Sequence, residues 1–193
     1  MILYTTRKAD GFQVKDVASM EMGDVFEFEL KDGETVRAMA VKKGDDATDF
    51  ITVDCLKGHD MPMNKCMTSE GGYDASDLRV RLNGEILALF PDDIRDAMVP
   101  VYRDDLLTIP SKSEIFGECI FSIEDSDDEM LEPMKERRNR IALDGIDGRP
   151  FWWWLRDATG AYDFAFVLSR GFASYATAAG SIGVRPRFRI ANR

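Results

Sequence analysis

The sequence is poor in the residues that most often do chemistry, with one histidine and three cysteines among 193 residues. With His59 the single imidazole, a Ser-His-Asp triad has to run through it, and no nucleophile-elbow motif supports one. Cys55, Cys66 and Cys119 form no C-x-x-C pair, and any one disulfide strands the third thiol. They read as reduced thiols in or near the core, where free cysteine acts as a small hydrophobe. Cys55, His59 and Cys66 could in principle group around zinc. Structural zinc sites use closely spaced ligand pairs and a fourth ligand, which is missing here, so His59 reads as a solvated loop residue. Gly180-Ser181-Ile182-Gly183 lacks the Lys-Ser/Thr of a phosphate loop. No apolar run approaches the roughly 18 residues of a membrane span. Met1–Asp10 has no basic stretch leading into an apolar core, so no secretory signal is expected and the expected location is cytoplasmic.

Charge is present but unevenly spread. The net charge is −10. Residues 151–193 carry six Arg against Asp157 and Asp163, a net of +4, which leaves −14 for residues 1–150. An acidic chain repels phosphate backbones, so nucleic acid is not an expected partner. A basic tail keeps a local anionic contact open. The acidic stretch 124–132 (EDSDDEMLE) lacks the Gly and terminal Glu of an EF-hand loop and reads as a solvated connection.

The apolar fraction of 45% fits a globular domain. Phe26, Phe28 and Leu30 alternate with Glu27 and Glu29, the period of a half-buried strand. Asp32-Gly33 supplies a turn, Val36–Val41 returns, and Phe50–Leu56 can extend the sheet. Residues 57–74 read as a long loop. Leu78, Leu82, Ile86, Leu89 and Phe90 follow at helical spacing, with Asn83-Gly84 a point where the helix can break. Pro91–Met98 reads as a short helix with Pro91 in its first turn. Ser111 and Glu114 form a capping box that predicts a helix over 112–118, and Pro133–Leu143 reads as another helix, ended at Gly145.

The last 43 residues are strand-like. Phe151–Leu155 is an aromatic run, Tyr162–Leu168 pairs with Phe172–Thr177 across Arg170-Gly171, and Gly183–Ile190 (GVRPRFRI) closes the chain. On a strand, Trp152, Trp154 and Arg156 share one face, and Phe151, Trp153 and Leu155 the other. Both faces can be core, since large aromatics dominate cores. Alternatively, Trp152 and Trp154 with Arg156 form an aromatic platform for a sugar, peptide or base. In the closing strand Val184, Phe188 and Ile190 point one way and Arg185, Arg187 and Arg189 the other, while Pro186 favours an edge or bulge. Arg187 and Arg189 read either as a surface contact or as a solvated face.

DLRVRLN at 77–83, LTIPSKSEIFGE at 107–118, WWLRD at 153–157 and GVRPRFRI at 183–190 occur in an order that resembles an uncharacterised domain family of Gram-positive gut bacteria and their prophages. That family is in turn similar to the formylglycine-generating-enzyme and C-type-lectin-like folds. The resemblance spans about residues 24–190, with Ile115 where the enzyme's relatives carry an aromatic and Asp157 in place of a Ser. It implies an α+β, C-type-lectin-like fold, a twisted antiparallel sheet with two or three helices and the C-terminal strands at its centre. One domain over 1–193 is expected, with 1–23 an N-terminal extension. It also implies a structural, partly buried Arg185 paired with a carboxylate. The enzyme relatives use two cysteines near their C-terminal region, and this chain has none after Cys119. The lectin-type calcium tripeptides are absent too, so neither metal nor other cofactor is expected. The functional expectation is a non-enzymatic binding module for a protein or glycan, phage or prophage encoded and then virion-associated. Rival readings are a structural subunit of a phage particle, oligomeric or not, and a degenerate enzyme. Candidate ligand-binding residues are Trp152, Trp154, Arg156, Tyr175, Arg187 and Arg189.

Overall fold

The computed structural model describes residues 14–117 and 128–192. Expectations for Cys119, for residues 124–127 and for residues 1–13 of the N-terminal extension lie outside these. Val17 and Met20, from the remainder of that extension, pack into the core.

In chain order, β1 (Val25–Glu29), β2 (Thr35–Lys43) and β3 (Ala47–Thr52) come first. α1 (Asp77–Arg81), a π turn (Leu82–Ile86) and α2 (Leu87–Leu89) follow the long loop as one continuous helical segment. Then come α3 (Asp92–Ala97), β4 (Met98–Val99), β5 (Leu107–Thr108) and α4 (Lys112–Phe116). β6 (Ala142–Leu143), β7 (Pro150–Phe151), β8 (Trp153–Ala158), β9 (Asp163–Val167), β10 (Ala173–Thr177) and β11 (Arg187–Ala191) complete the chain. The named strands pair antiparallel throughout, with order β1-β2-β3-β11-β4 in the main sheet and β5 also beside β11. β10-β9-β8 form a second sheet and β6-β7 a small third. The architecture is mixed α and β, with few and short helices, compatible with an α+β fold. Among the described residues no helix is long and apolar enough to cross a membrane.

The β1–β2 hairpin forms as its alternation predicts. Gly33 takes φ 91°, a conformation glycine adopts without cost, and Asp32 accepts the Glu34 amide at 3.0 Å. Both faces of the main sheet carry core, with Glu29, Thr35 and Arg37 leaving the hairpin end of the second face open. Phe26, Phe50, Phe90 and Phe188 pack edge-to-face and stacked beneath the helical segment, with centroid separations of 5.0–5.6 Å. The opposite face gathers Met39, Val41, Ile51, Trp153, Leu155 and Val167. β11 therefore lies between β3 and the short β4 and β5, as a central strand of the sheet.

Three expectations are corrected. Asn83-Gly84 does not break the helix but widens it into the π turn, where Asn83 bonds the Arg79 and Leu107 carbonyls and accepts the Leu106 and Leu107 amides. One side chain thus ties β5 to the helix. Pro133–Leu143 is not a helix: two 3-10 turns, Glu132–Lys135 and Arg137–Arg140, are separated by extended Glu136 and followed by β6. Asn139 and Arg140 side chains take the Pro133 and Met134 carbonyls, competing with helical hydrogen bonds. Finally, Phe151–Leu155 is two strands rather than one, interrupted at Trp152, and the ladder of GVRPRFRI starts only at Arg187. Gly183 sits where a Cβ would come within 2.6 Å of Cys55 Sγ and 2.8 Å of the Trp152 carbonyl oxygen, so no larger residue fits.

Candidate functional site

A cleft of about 1150 Å³ opens between the loop at 69–74, the turn at 101–105, α4, β8 and β11. Its floor is ionic, and local structure fixes each member. Ser111 caps α4 and Glu114 returns the capping-box bond to the Ser111 amide at 2.8 Å. That geometry holds the Glu114 carboxylate still, buried at the base of the cleft. Its Oε2 receives Arg156 at 2.9 Å and its Oε1 receives Arg187 at 2.6 Å. Arg187 also pairs with Asp49 of β3, which in turn grips Arg189. Arg156 extends the chain to Asp128 and bonds the Ile109 carbonyl. Carboxylates and guanidiniums therefore alternate across β8, α4, β11 and β3. Charges paired in this way are oriented by their hydrogen bonds rather than by solvent.

The walls are aromatic and acidic. Tyr73 is buried, and desolvation pushes its phenol above the usual range, partly offset by a bond from Thr108. Tyr102 donates to Asp74 at 2.9 Å and lies edge-on to Tyr73. Three guanidiniums surround its ring: Arg156 at 4.9 Å, Arg103 at 5.7 Å and Arg79 at 5.9 Å. Asp157 accepts the Lys112 amide at 2.7 Å, and burial raises its carboxyl above the ordinary range, with that bond and Arg156 pulling the other way. Lys42 stands exposed at the rim.

A family description for a domain of unknown function, DUF6273, matches residues 48–192. The chain belongs to this family. No curated protein and no solved structure matches it. The motifs at 77–83, 107–118, 153–157 and 183–190 all fall inside the DUF6273 span, which begins later than the resemblance at 24. The β1–β2 hairpin lies before it. The cleft is thus almost wholly a DUF6273 feature, with Lys42 its contribution from outside.

Of the six candidate residues, the fold brings Arg156, Arg187 and Arg189 together in the cleft. Arg187 is not on a surface face: it is buried, with Nε lacking a partner among the described residues. Trp154 is not part of a platform either. It is core, its indole N–H bonded to the Met61 carbonyl at 2.8 Å. Trp152 is 46% exposed and sits against Phe166. Tyr175, 56% exposed, pairs in register with Ala165, which faces the opposite core from Phe166. Trp152 and Tyr175 therefore lie on opposite sides of the second sheet. Arg185 is fully buried, but its expected carboxylate is replaced by the Thr52 and Asn139 carbonyls and the Trp153 ring at 4.4 Å. His59 does not line the cleft. Among the described residues no group of His, Cys, Asp or Glu is placed to hold a metal.

Sequence reasoning missed Asp49, Tyr73, Tyr102, Asp74 and Asp128. It saw Glu114 only as a cap. Its signal was available, because a capping glutamate has a second oxygen, and Arg156 and Arg187 stand on two later strand-like segments.

Proposed function

We propose that this chain is a recognition module whose ligand occupies the charged cleft. The observation that carries this reading is the Arg156–Glu114–Arg187–Asp49–Arg189 chain of ion pairs. Groups already held by one another need no reorganisation when a ligand arrives, and such preorganisation favours binding. Their remaining lone pairs and N–H groups face a polar ligand, a peptide or a glycan.

The fold supports the finer reading of a C-type-lectin-like domain: the last strand returns beside the first sheet, and a separate three-stranded sheet carries the WWLR segment. A bacterial or prophage origin and a cytoplasmic or virion-associated setting remain part of the same proposal, without nucleic acid or membrane as partner. One observation favours the rival reading of an assembly subunit: Trp152, Tyr162, Phe172 and Tyr175 are each about half exposed, and exposed aromatics suit protein interfaces.

The test is a glycan- and peptide-array screen with the wild type and Ala161→Trp. Ala161 is exposed on the cleft wall, so the indole fills the cleft without entering the core. Saturable binding lost in A161W supports recognition at the cleft. Binding that A161W leaves intact contradicts it, and a stable oligomer by light scattering with no array binding shifts the reading to assembly.

A further inference from the structure

We infer that the ligand of this cleft presents a cationic side chain, the guanidinium or ammonium of a basic peptide. The inference rests on the cleft being the binding site and names what enters it. Five carboxylates line the cleft, those of Asp74, Glu114, Asp128, Glu129 and Asp157. Four cations face them, but the three guanidiniums are already committed: Arg156 to Glu114 and Asp128, Arg187 to Glu114 and Asp49, and Arg189 to Asp49. Lys42 is left at the rim.

What stays without a direct ion pair is acidic. Asp157 makes no ion pair with any described residue. One of its oxygens takes the Lys112 amide, and its neighbour Arg156 is turned toward Glu114 and Asp128. Arg156 and Lys112 act on this carboxylate only through space, and burial outweighs them in the direction of its titration shift, so a further cation in direct contact would stabilise it. Glu129 is a second carboxylate with no ion pair among the described residues.

The opposite wall already shows what it accepts. Asp74 and the Tyr102 ring hold Arg103 of the same chain, with its guanidinium 2.6 Å from the Asp74 carboxylate and over the ring. A carboxylate beside an electron-rich ring is a cation subsite, and here a guanidinium occupies it. The chain's charge of −10 acts in the same sense, drawing cations and repelling anions at long range.

The probes are fluorescein-labelled Gly-Ser-Arg-Ser-Gly peptides, amidated, with Arg replaced in turn by Lys, citrulline and Glu. Citrulline keeps the shape and loses the charge. Anisotropy titrations at low salt on the full chain compare wild type, Asp157→Asn, Glu129→Gln and Ala161→Trp. Arg and Lys peptides are expected to bind at least about tenfold more tightly than citrulline, with the Glu peptide weakest. Asp157→Asn keeps the acceptor for the Lys112 amide, and it should lose about tenfold with its fold intact. Glu129→Gln, on the rim, should lose less. Equal binding of Arg and citrulline peptides overturns the inference, as does no Arg-peptide binding up to about 1 mM. A neutral glycan excluded by A161W but indifferent to D157N sinks the cationic ligand and leaves the cleft standing. Binding indifferent to A161W removes both.

Discussion

Arg185 and Arg187 stand two residues apart in GVRPRFRI, both enclosed, in opposite kinds of surroundings. Arg187 faces two carboxylates and shares them with Arg156 and Arg189 at the floor of the cleft. Arg185 meets carbonyl oxygens and the Trp153 ring, with Nη2 lacking a partner among the described residues. Burial there lowers its guanidinium to about 10, against small opposing effects of Cys55 and Asp54. One arginine joins the second core to the 139–140 turn, and the other completes an electrostatic chain beside a cavity. Burial alone therefore does not separate structural from functional arginines. What separates them is whether the counter-charges continue to an open surface.

The sharpest break of this contrast is at Glu114, on which two guanidiniums converge. Glu114→Gln keeps the capping acceptor but removes the carboxylate that both guanidiniums share, and it should cost about 3–5 kcal/mol, read from denaturant unfolding. A loss under about 1 kcal/mol would mean that Asp49 and Asp128 suffice. Arg185→Lys should cost less, roughly 2 kcal/mol, because the ammonium keeps the charge but loses the planar stacking and one carbonyl bond. The size of that loss should change little with added salt, since Arg185 makes no ion pair that salt would screen.

Asp157→Asn gives a smaller effect of the opposite sign. The native carboxyl titrates above the ordinary Asp value, so the folded state keeps its proton to a higher pH than the unfolded state does. Wild-type stability therefore falls as pH rises from the ordinary value through the raised one. D157N should melt about 2–4 °C higher at pH 7, the equivalent of roughly 1 kcal/mol in a chain of this size. The gap should close below the ordinary Asp pKa. Thermal melts from pH 3 to 7 check the sign. Trp152→Ala should do least: its half-exposed ring loses about 1 kcal/mol of contact, with cleft binding changed less than about twofold.

Much of the frame was legible. The hairpin, the Ser111–Glu114 box and the Tyr162–Thr177 pair all rest on local rules that need no distant partner. The 133–143 segment defeated periodicity because side chains of Asn139 and Arg140 claimed the carbonyls a helix requires. The tryptophans were ambiguous for a physical reason: alternation gives two faces but not which is covered, and here Trp153 and Trp154 enter separate cores while Trp152 stays half outside. The cleft was least legible. Asp49, Tyr102 and Asp74 come from three segments far apart in sequence, and only the fold makes them neighbours of Arg156 and Arg187.

The most direct test of the cleft as the binding site is an NMR titration of labelled protein with the strongest array binder, following arginine Nε–H and tryptophan indole N–H signals. The account predicts shifts at Arg156 and Arg189, with the exposed Trp152 indole unmoved. Shifts at Trp152 and not at the cleft arginines would contradict it.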